Sequence, residues 1–306
     1  ISLDNFREKP YMTKIFISFL LLACSSLVFA SEALVDTDWI AKNLNDKNLL
    51  MVDLRSKDYF EYAHIKGSTF TDYSKWRVVN DKGITGMLPT QGHIEQLLSQ
   101  MGATPDHHIV LIPSGESASD MASAARIYWT LEQIGHKKKS ILNGGIIAYA
   151  NAKLPLERGP NATESTDYEI KTMKFNQIDA DAIQKNSRMN IIDVRSKAEH
   201  LGIYQGAPDE HAGTIPGSQS LPYDWFTQNG SGRLVSNKNM QVLMGTLNID
   251  NSLPTVVYCH TGHRASLSWF VLHELLGNEK AILYDGSTRE WATRQDLPVD
   301  QLIAFQ

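Results

Sequence analysis

The sequence predicts an α/β protein built as two tandem domains, each a mainly parallel sheet flanked by helices. Three observations carry that expectation. Short apolar runs of strand length alternate with amphipathic stretches of helical length, the pattern of strands covered on both faces by helices. The same order of elements then occurs twice. Leu50-Met-Val-Asp-Leu-Arg-Ser-Lys57 returns as Ile191-Ile-Asp-Val-Arg-Ser-Lys197, and Ala63-His-Ile-Lys-Gly-Ser68 as Gly213-Thr-Ile-Pro-Gly-Ser218. Ile109-Val-Leu-Ile112 returns as Thr255-Val-Val-Tyr258, and Trp129 with Ile141-Leu-Asn-Gly-Gly145 as Trp269 with Ile282-Leu-Tyr-Asp-Gly286. Matched elements in matched order indicate duplication of one α/β unit, too long to be a solenoid repeat. Third, the stretch from Lys153 to Thr166 is rich in Pro, Gly and small polar residues without periodicity, as a linker is. The expected division is 1–30 for upstream residues and a leader, 31–152 for the first domain, 153–168 for the linker and 169–306 for the second domain.

Composition agrees with two folded cores. The chain has 306 residues, 42% hydrophobic and 21% charged, enough apolar material for two domains. A net charge of −5 gives no reason to expect nucleic acid or an acidic membrane surface as partner. The His136-Lys-Lys-Lys139 run sits where a helix should end, and reads as a solvated terminus matched to the helix dipole.

The N-terminus reads as a targeting segment. Lys14 precedes the apolar run from Ile15 to Ala30, which closes on Val-Phe-Ala before Ser31, the layout of a secretory signal peptide. The run is short for a spanning helix, for which ~20 apolar residues are usual. A periplasmic protein without stable membrane insertion after cleavage is therefore expected. Leu21-Leu-Ala-Cys24 also resembles a lipoprotein cleavage box, and a start at Met12 would make residues 1–11 upstream sequence. Cleavage after Ala30 would leave Cys259 as the one cysteine of the mature chain. That rules out an internal disulfide and a Cys-rich zinc site. His260 and His263 match no standard ligand spacing, so no metal is expected.

The two copies differ where it matters. Thr255–Tyr258 leads into Cys259-His-Thr-Gly-His-Arg264, whereas Ile109–Ile112 leads into Pro113-Ser-Gly-Glu-Ser-Ala-Ser-Asp120, which has no cysteine. Turn chemistry explains Pro-Ser-Gly, so the first half is expected to be non-catalytic and its Asp53-x-Arg55 structural. A strand-to-helix junction gathers unpaired N–H groups and the positive end of the helix dipole around whatever sits in the loop. A cysteine there favours its thiolate. Gly262 lets consecutive amides converge, and Arg264 adds a cation that faces the same space or braces the loop. An isolated cysteine at a strand end is usually a packed small hydrophobe. The loop sequence, present in one copy only, favours a nucleophile instead.

As a set, Asp193-Val-Arg-Ser196, Gly213–Ser218, Tyr258–Arg264, Tyr284–Trp291, Ala125-Arg126-x-x-Trp129 and Leu142–Gly145 resemble the tandem-domain rhodaneses, or thiosulfate sulfurtransferases. The resemblance spans the whole expected mature chain and implies two rhodanese-like domains, the second catalytic and the first closing its cleft. It implies sulfur transfer through a Cys259 persulfide, from thiosulfate to cyanide or a thiol acceptor, small or on a protein, without a cofactor. It places Arg195 in donor binding together with His260, Thr261, Gly262, His263 and Arg264. Where thiosulfate-specific members carry two basic residues after the cysteine, this chain has histidines, so the loop's charge should be weaker and pH-dependent. Alternatives are a mercaptopyruvate sulfurtransferase, a persulfide carrier without turnover, and a cysteine phosphatase. The last is disfavoured because the loop is C-x4-R rather than the longer C-x5-R. Trp225, Trp269 and Trp291 are expected in the core or a pocket wall, and Leu201–His211, longer than its first-half counterpart, either borders the pocket or is a surface loop.

Overall fold

The computed structural model describes residues 32–174, 177–186, 188–250 and 252–303. The expected leader and its cleavage site lie outside the described residues. Among the described residues no helix is long and apolar enough to cross a membrane.

The first half forms a five-stranded parallel sheet from β1 (Leu34–Val35), β2 (Leu49–Asp53), β3 (Thr69–Phe70), β4 (His108–Ile112) and β5 (Lys139–Leu142), in the order β1-β5-β4-β2-β3. The second half forms a four-stranded parallel sheet from β6 (Asn190–Asp193), β7 (Gln219–Ser220), β8 (Thr255–Tyr258) and β9 (Ala281–Leu283), in the order β7-β6-β8-β9. The unbroken apolar runs are the central strands. Ile109–Ile112 and Thr255–Tyr258 are buried at every position, as strands covered on both faces must be. In register, Asp53 pairs with Ile112 and Asp193 with Tyr258. Each D-x-R motif therefore begins level with the carboxyl end of the neighbouring central strand, where an α/β sheet binds its ligands.

The halves share a core. Helix α1 (Ala118–Gln133) starts on a reciprocal capping box between Ser117 and Asp120. Its alanines at 118, 122, 124 and 125 are all buried, which lets α2 (His263–Phe270) of the second half approach closely. The Tyr128 ring meets Phe270 edge-on at 4.9 Å, and its hydroxyl donates to Glu274 at 2.9 Å. Trp129 and Leu131 belong to the same apolar cluster as Trp269 and Phe270. Trp269 and Trp291 are buried as expected, while Trp225 is about half exposed.

The linker behaves differently from its composition. Leu156–Glu157 pairs antiparallel with His64–Ile65, Asn161 donates to Ser68 O, and Tyr168 and Ile170 are buried. The Tyr168 hydroxyl shares a 2.7 Å hydrogen bond with His136 Nδ1. The segment thus stays attached to the first domain. A short β pairing satisfies its backbone, and two apolar side chains anchor it, signals too sparse to read as periodicity.

Candidate active site

The site is the junction of β8 and α2. Tyr258 ends the strand, Cys259 follows it, and Gly262 occupies the N-cap of α2 with φ +73°. Glycine is required there twice over. The backbone is left-handed, and a Cβ would lie 2.8 Å from both Arg126 Nη1 and Asp285 Oδ1. Cys259 is 1% exposed, so the thiol sits at the bottom of the junction.

The carbonyls of Cys259, His260, Thr261 and Gly262 each meet a donor. Cys259 O accepts from Thr288 N at 3.1 Å and His260 O from Arg289 N at 2.9 Å. Thr261 O accepts from Arg77 Nη2 at 2.6 Å, and Gly262 O accepts from Ser266 N and Oγ. The N–H groups are thereby directed to the inner side of the loop. Ser287 Oγ accepts from Cys259 N and Gly262 N at 3.1 and 3.2 Å and donates to Tyr284 O. Ser287 holds φ +50°, a left-handed conformation imposed by this three-way bond. The N–H groups of His260, Thr261, His263 and Arg264 meet no acceptor among the described residues. They form a concave set of donors suited to a negatively charged sulfur or small anion.

The first domain covers this loop. Arg77 reaches Thr261, and Arg126 pairs with Asp285 at 2.5 Å while also donating to Gly86 O. Asp285 accepts from Leu88 N as well. The Tyr73 hydroxyl bonds His263 Nδ1 at 2.5 Å and Ser119 Oγ bonds His263 Nε2 at 3.0 Å. Burial, reinforced by the charges of Arg77, Arg126 and Arg264, pushes the His263 imidazole down to about 3. His263 therefore does not supply the pH-dependent loop charge expected from the sequence; the cations around it are Arg77 and Arg126 of the first domain and Arg264 of the second.

The remaining expected residues divide by role. Arg264 makes a two-pronged pair with Glu199, 2.8 Å at each prong. Burial raises the Glu199 carboxyl, but the Arg264 hydrogen bonds and charge outweigh it and hold it at about 2. Arg264 therefore braces the loop against Glu199. His260 Nε2 bonds Glu210 Oε1 at 2.8 Å, and the buried Glu210 also takes Arg289 at 3.1 Å. Glu210 lies on the Leu201–His211 insertion, so that segment borders the catalytic loop. Arg195 lies apart from the donor set. It is 2% exposed, paired with Asp193 at 2.6 Å, donates to Gly213 O at 2.7 Å and lies over the Tyr258 ring. Arg55 repeats this with Asp53 and Ala63 O. Its Nε and Nη2 form a buried strut that ties the strand end to the next turn. No group of three or more His, Cys, Asp or Glu among the described residues could hold a metal ion.

Two buried histidines give the fold an acid limit. His136 is pushed down to about 4 by burial, with Lys139 adding, and His263 to about 3, both from 6.5. Between those values and 6.5 the unfolded chain binds more protons than the folded one. Stability is therefore full above about pH 6.5 and lost as pH falls toward 4. At pH 5 each histidine costs about 2 kcal/mol, so the melting temperature should fall by roughly 10 °C from its value at pH 8. Glu199 stays ionised throughout that window and acts only at lower pH. In His263→Gln about half of the fall should vanish; an unchanged slope would contradict the assignment.

Reading the sequence did not find Arg77, Tyr73, Ser119, Glu199, Glu210, Asp285 or Ser287. The one available signal was the Tyr284–Trp291 match, which contains Asp285 and Ser287 but does not say what they bind. With the geometry in view, comparison with known proteins agrees on the architecture. A family model described as rhodanese-like domain matches residues 36–152 and again 176–294. A protein of Haloferax volcanii named "Putative thiosulfate sulfurtransferase" is 28% identical over 289 residues, covering 89% of this chain and 98% of that protein. The "Sulfur carrier protein TtuD" of Thermus thermophilus is 28% identical over 286 residues, covering 88% and 96%. The 3-mercaptopyruvate sulfurtransferase SseA of Escherichia coli shares the fold with a TM-score of 0.71 at 22% identity, covering 84% of this chain and 99% of that one. With both halves matched by the same family model and both sheets in place, the chain belongs to the rhodanese-like family as a tandem pair of such domains.

Proposed function

We propose that this protein is a sulfurtransferase that moves sulfane sulfur from thiosulfate, or a related small anionic donor, to cyanide or a thiol through a persulfide on Cys259. The observation that carries this is the loop behind Cys259, with four carbonyls turned out and a set of N–H groups turned in. Such a set holds one terminal sulfur that bears charge before and after transfer. The Cys259 thiolate attacks the outer sulfur of thiosulfate and forms a new S–S bond. The old S–S bond breaks and its electron pair leaves on sulfite. Cyanide carbon then attacks the terminal sulfur, thiocyanate departs and the thiolate returns. No net proton or electron is required, so no cofactor is called for.

A phosphoryl-transfer reading is weaker, because Arg264 spends its fork on Glu199. A thiol of a partner protein as acceptor is the second reading, favoured by the relative named a sulfur carrier. Export to the periplasm is proposed on the Lys14 and Ile15–Ala30 pattern alone.

Intact mass of the protein before and after thiosulfate tests the proposal. Wild type should gain about 32 Da, one sulfur, and Cys259→Ala should gain nothing. Added cyanide should remove the gain with repeated turnover, whereas a carrier would load once and turn over poorly. No adduct from thiosulfate or 3-mercaptopyruvate would sink the assignment.

A further inference from the structure

We infer that Arg77, from the domain that has no cysteine, is a positioning residue for sulfur transfer: it holds the Thr261–Gly262 peptide with its carbonyl outward. This rests on the reading of Cys259 as the sulfur-carrying residue. Three of the four loop carbonyls are held from within the second domain, by Thr288 N, Arg289 N and Ser266. The fourth, Thr261 O, is held by Arg77 Nη2 at 2.6 Å, and the same nitrogen reaches Thr261 Oγ1 at 2.7 Å. No other donor among the described residues bonds that carbonyl. The middle of the loop is therefore the point at which the catalytic domain does not complete its own site.

The Arg77 side chain is itself aimed. It leaves the chain just before a short hairpin, Val78–Val79 with Thr85–Met87, and its Nε lies 3.4 Å from Gly86 O. Gly86 O also accepts from Arg126 at 3.1 Å, so one carbonyl orients both arginines. Gly86 has φ +85°, and a Cβ there would lie 2.3 Å from Arg77 Nη2 and 2.8 Å from Thr261 O. The hairpin is bare at the one position where a side chain would push the guanidinium off the loop. Holding the domains together does not require Arg77, since the shared apolar cluster and the Arg126–Asp285 pair already do so. What Arg77 adds is a fixed cation bonded to the peptide next to the donor set. An unheld peptide can rotate and point its carbonyl at the incoming anion.

The test uses the full chain with Arg77→Met, Arg77→Lys and Gly86→Ala. Persulfide formation is followed in single turnovers by intact mass at varied thiosulfate, alongside the melting temperature. Arg77→Met should lower the maximal rate by about 10²-fold, as loss of geometry next to the reacting atom does. Arg77→Lys, which keeps charge without the fork, should recover only part of the rate. Gly86→Ala, which keeps the guanidinium and displaces it, should slow the step as well. A purely structural Arg77 would lower the melting temperature in Arg77→Met while leaving the maximal rate at wild type, and that result overturns the inference. An effect confined to the thiosulfate concentration needed overturns it too, since it marks a simple donor-binding cation. Should wild type accept no sulfur at all, the function proposed above fails. Wild-type loading with an unchanged maximal rate in Arg77→Met instead refutes the positioning role alone, so the two failures are told apart.

Discussion

Cys259→Ser is expected to lower turnover of thiosulfate and cyanide by at least about 10³-fold while the protein stays folded. A serine hydroxyl needs a base to take its proton, and the two nearby histidines are committed elsewhere. His263 is bonded on both ring nitrogens, to Tyr73 and Ser119, and His260 is bonded to Glu210. Oxygen in place of sulfur would also have to form an O–S bond rather than a persulfide. The measurement is initial-rate formation of thiocyanate, with circular dichroism as the check on folding. Activity within tenfold of wild type would remove Cys259 from the chemistry.

Arg126→Met is expected to destabilise the protein by about 3–5 kcal/mol, the usual cost of leaving one partner of a buried ion pair uncompensated. Arg126 is fully buried, lies 2.5 Å from Asp285 and stacks over Trp129 at 4.6 Å. Without it Asp285 stays buried with Leu88 N as its remaining hydrogen-bond donor among the described residues. A fall of roughly 10 °C in melting temperature should follow for a chain of this size. Activity should fall with it, because Arg126 Nη1 and Asp285 Oδ1 fill the space beside Gly262. Arg126→Met combined with Asp285→Asn should recover part of the loss by removing the stranded charge. Thermal melts of the two variants decide it: a single-variant cost below 1 kcal/mol, or no recovery in the double, would show that the pair is not the interdomain lock.

The strand runs were legible because burial on both faces demands unbroken apolar residues, as in Ile109–Ile112 and Thr255–Tyr258. Cys259 was legible because the repeat exposed it as the difference between two otherwise matched halves. Arg195 shows the limit of a motif. The pattern D-x-R recurs faithfully, but it names a residue without saying which face of the strand end its side chain serves. His263 shows a second limit. The resemblance suggested a pH-dependent charge there, whereas burial, reinforced by the charges of Arg77, Arg126 and Arg264, pushes the imidazole down to about 3.

The order of elements and the duplication were determined by local pattern, which lies wholly within each stretch of sequence. The completed site was decided by tertiary structure alone. Arg77 and Thr261 are 184 residues apart, and Arg126 and Asp285 are 159 apart. No periodicity or spacing connects such pairs. They meet because α1 of the first half packs on α2 of the second within one apolar cluster, and that packing brings the first domain's arginines over the second domain's loop.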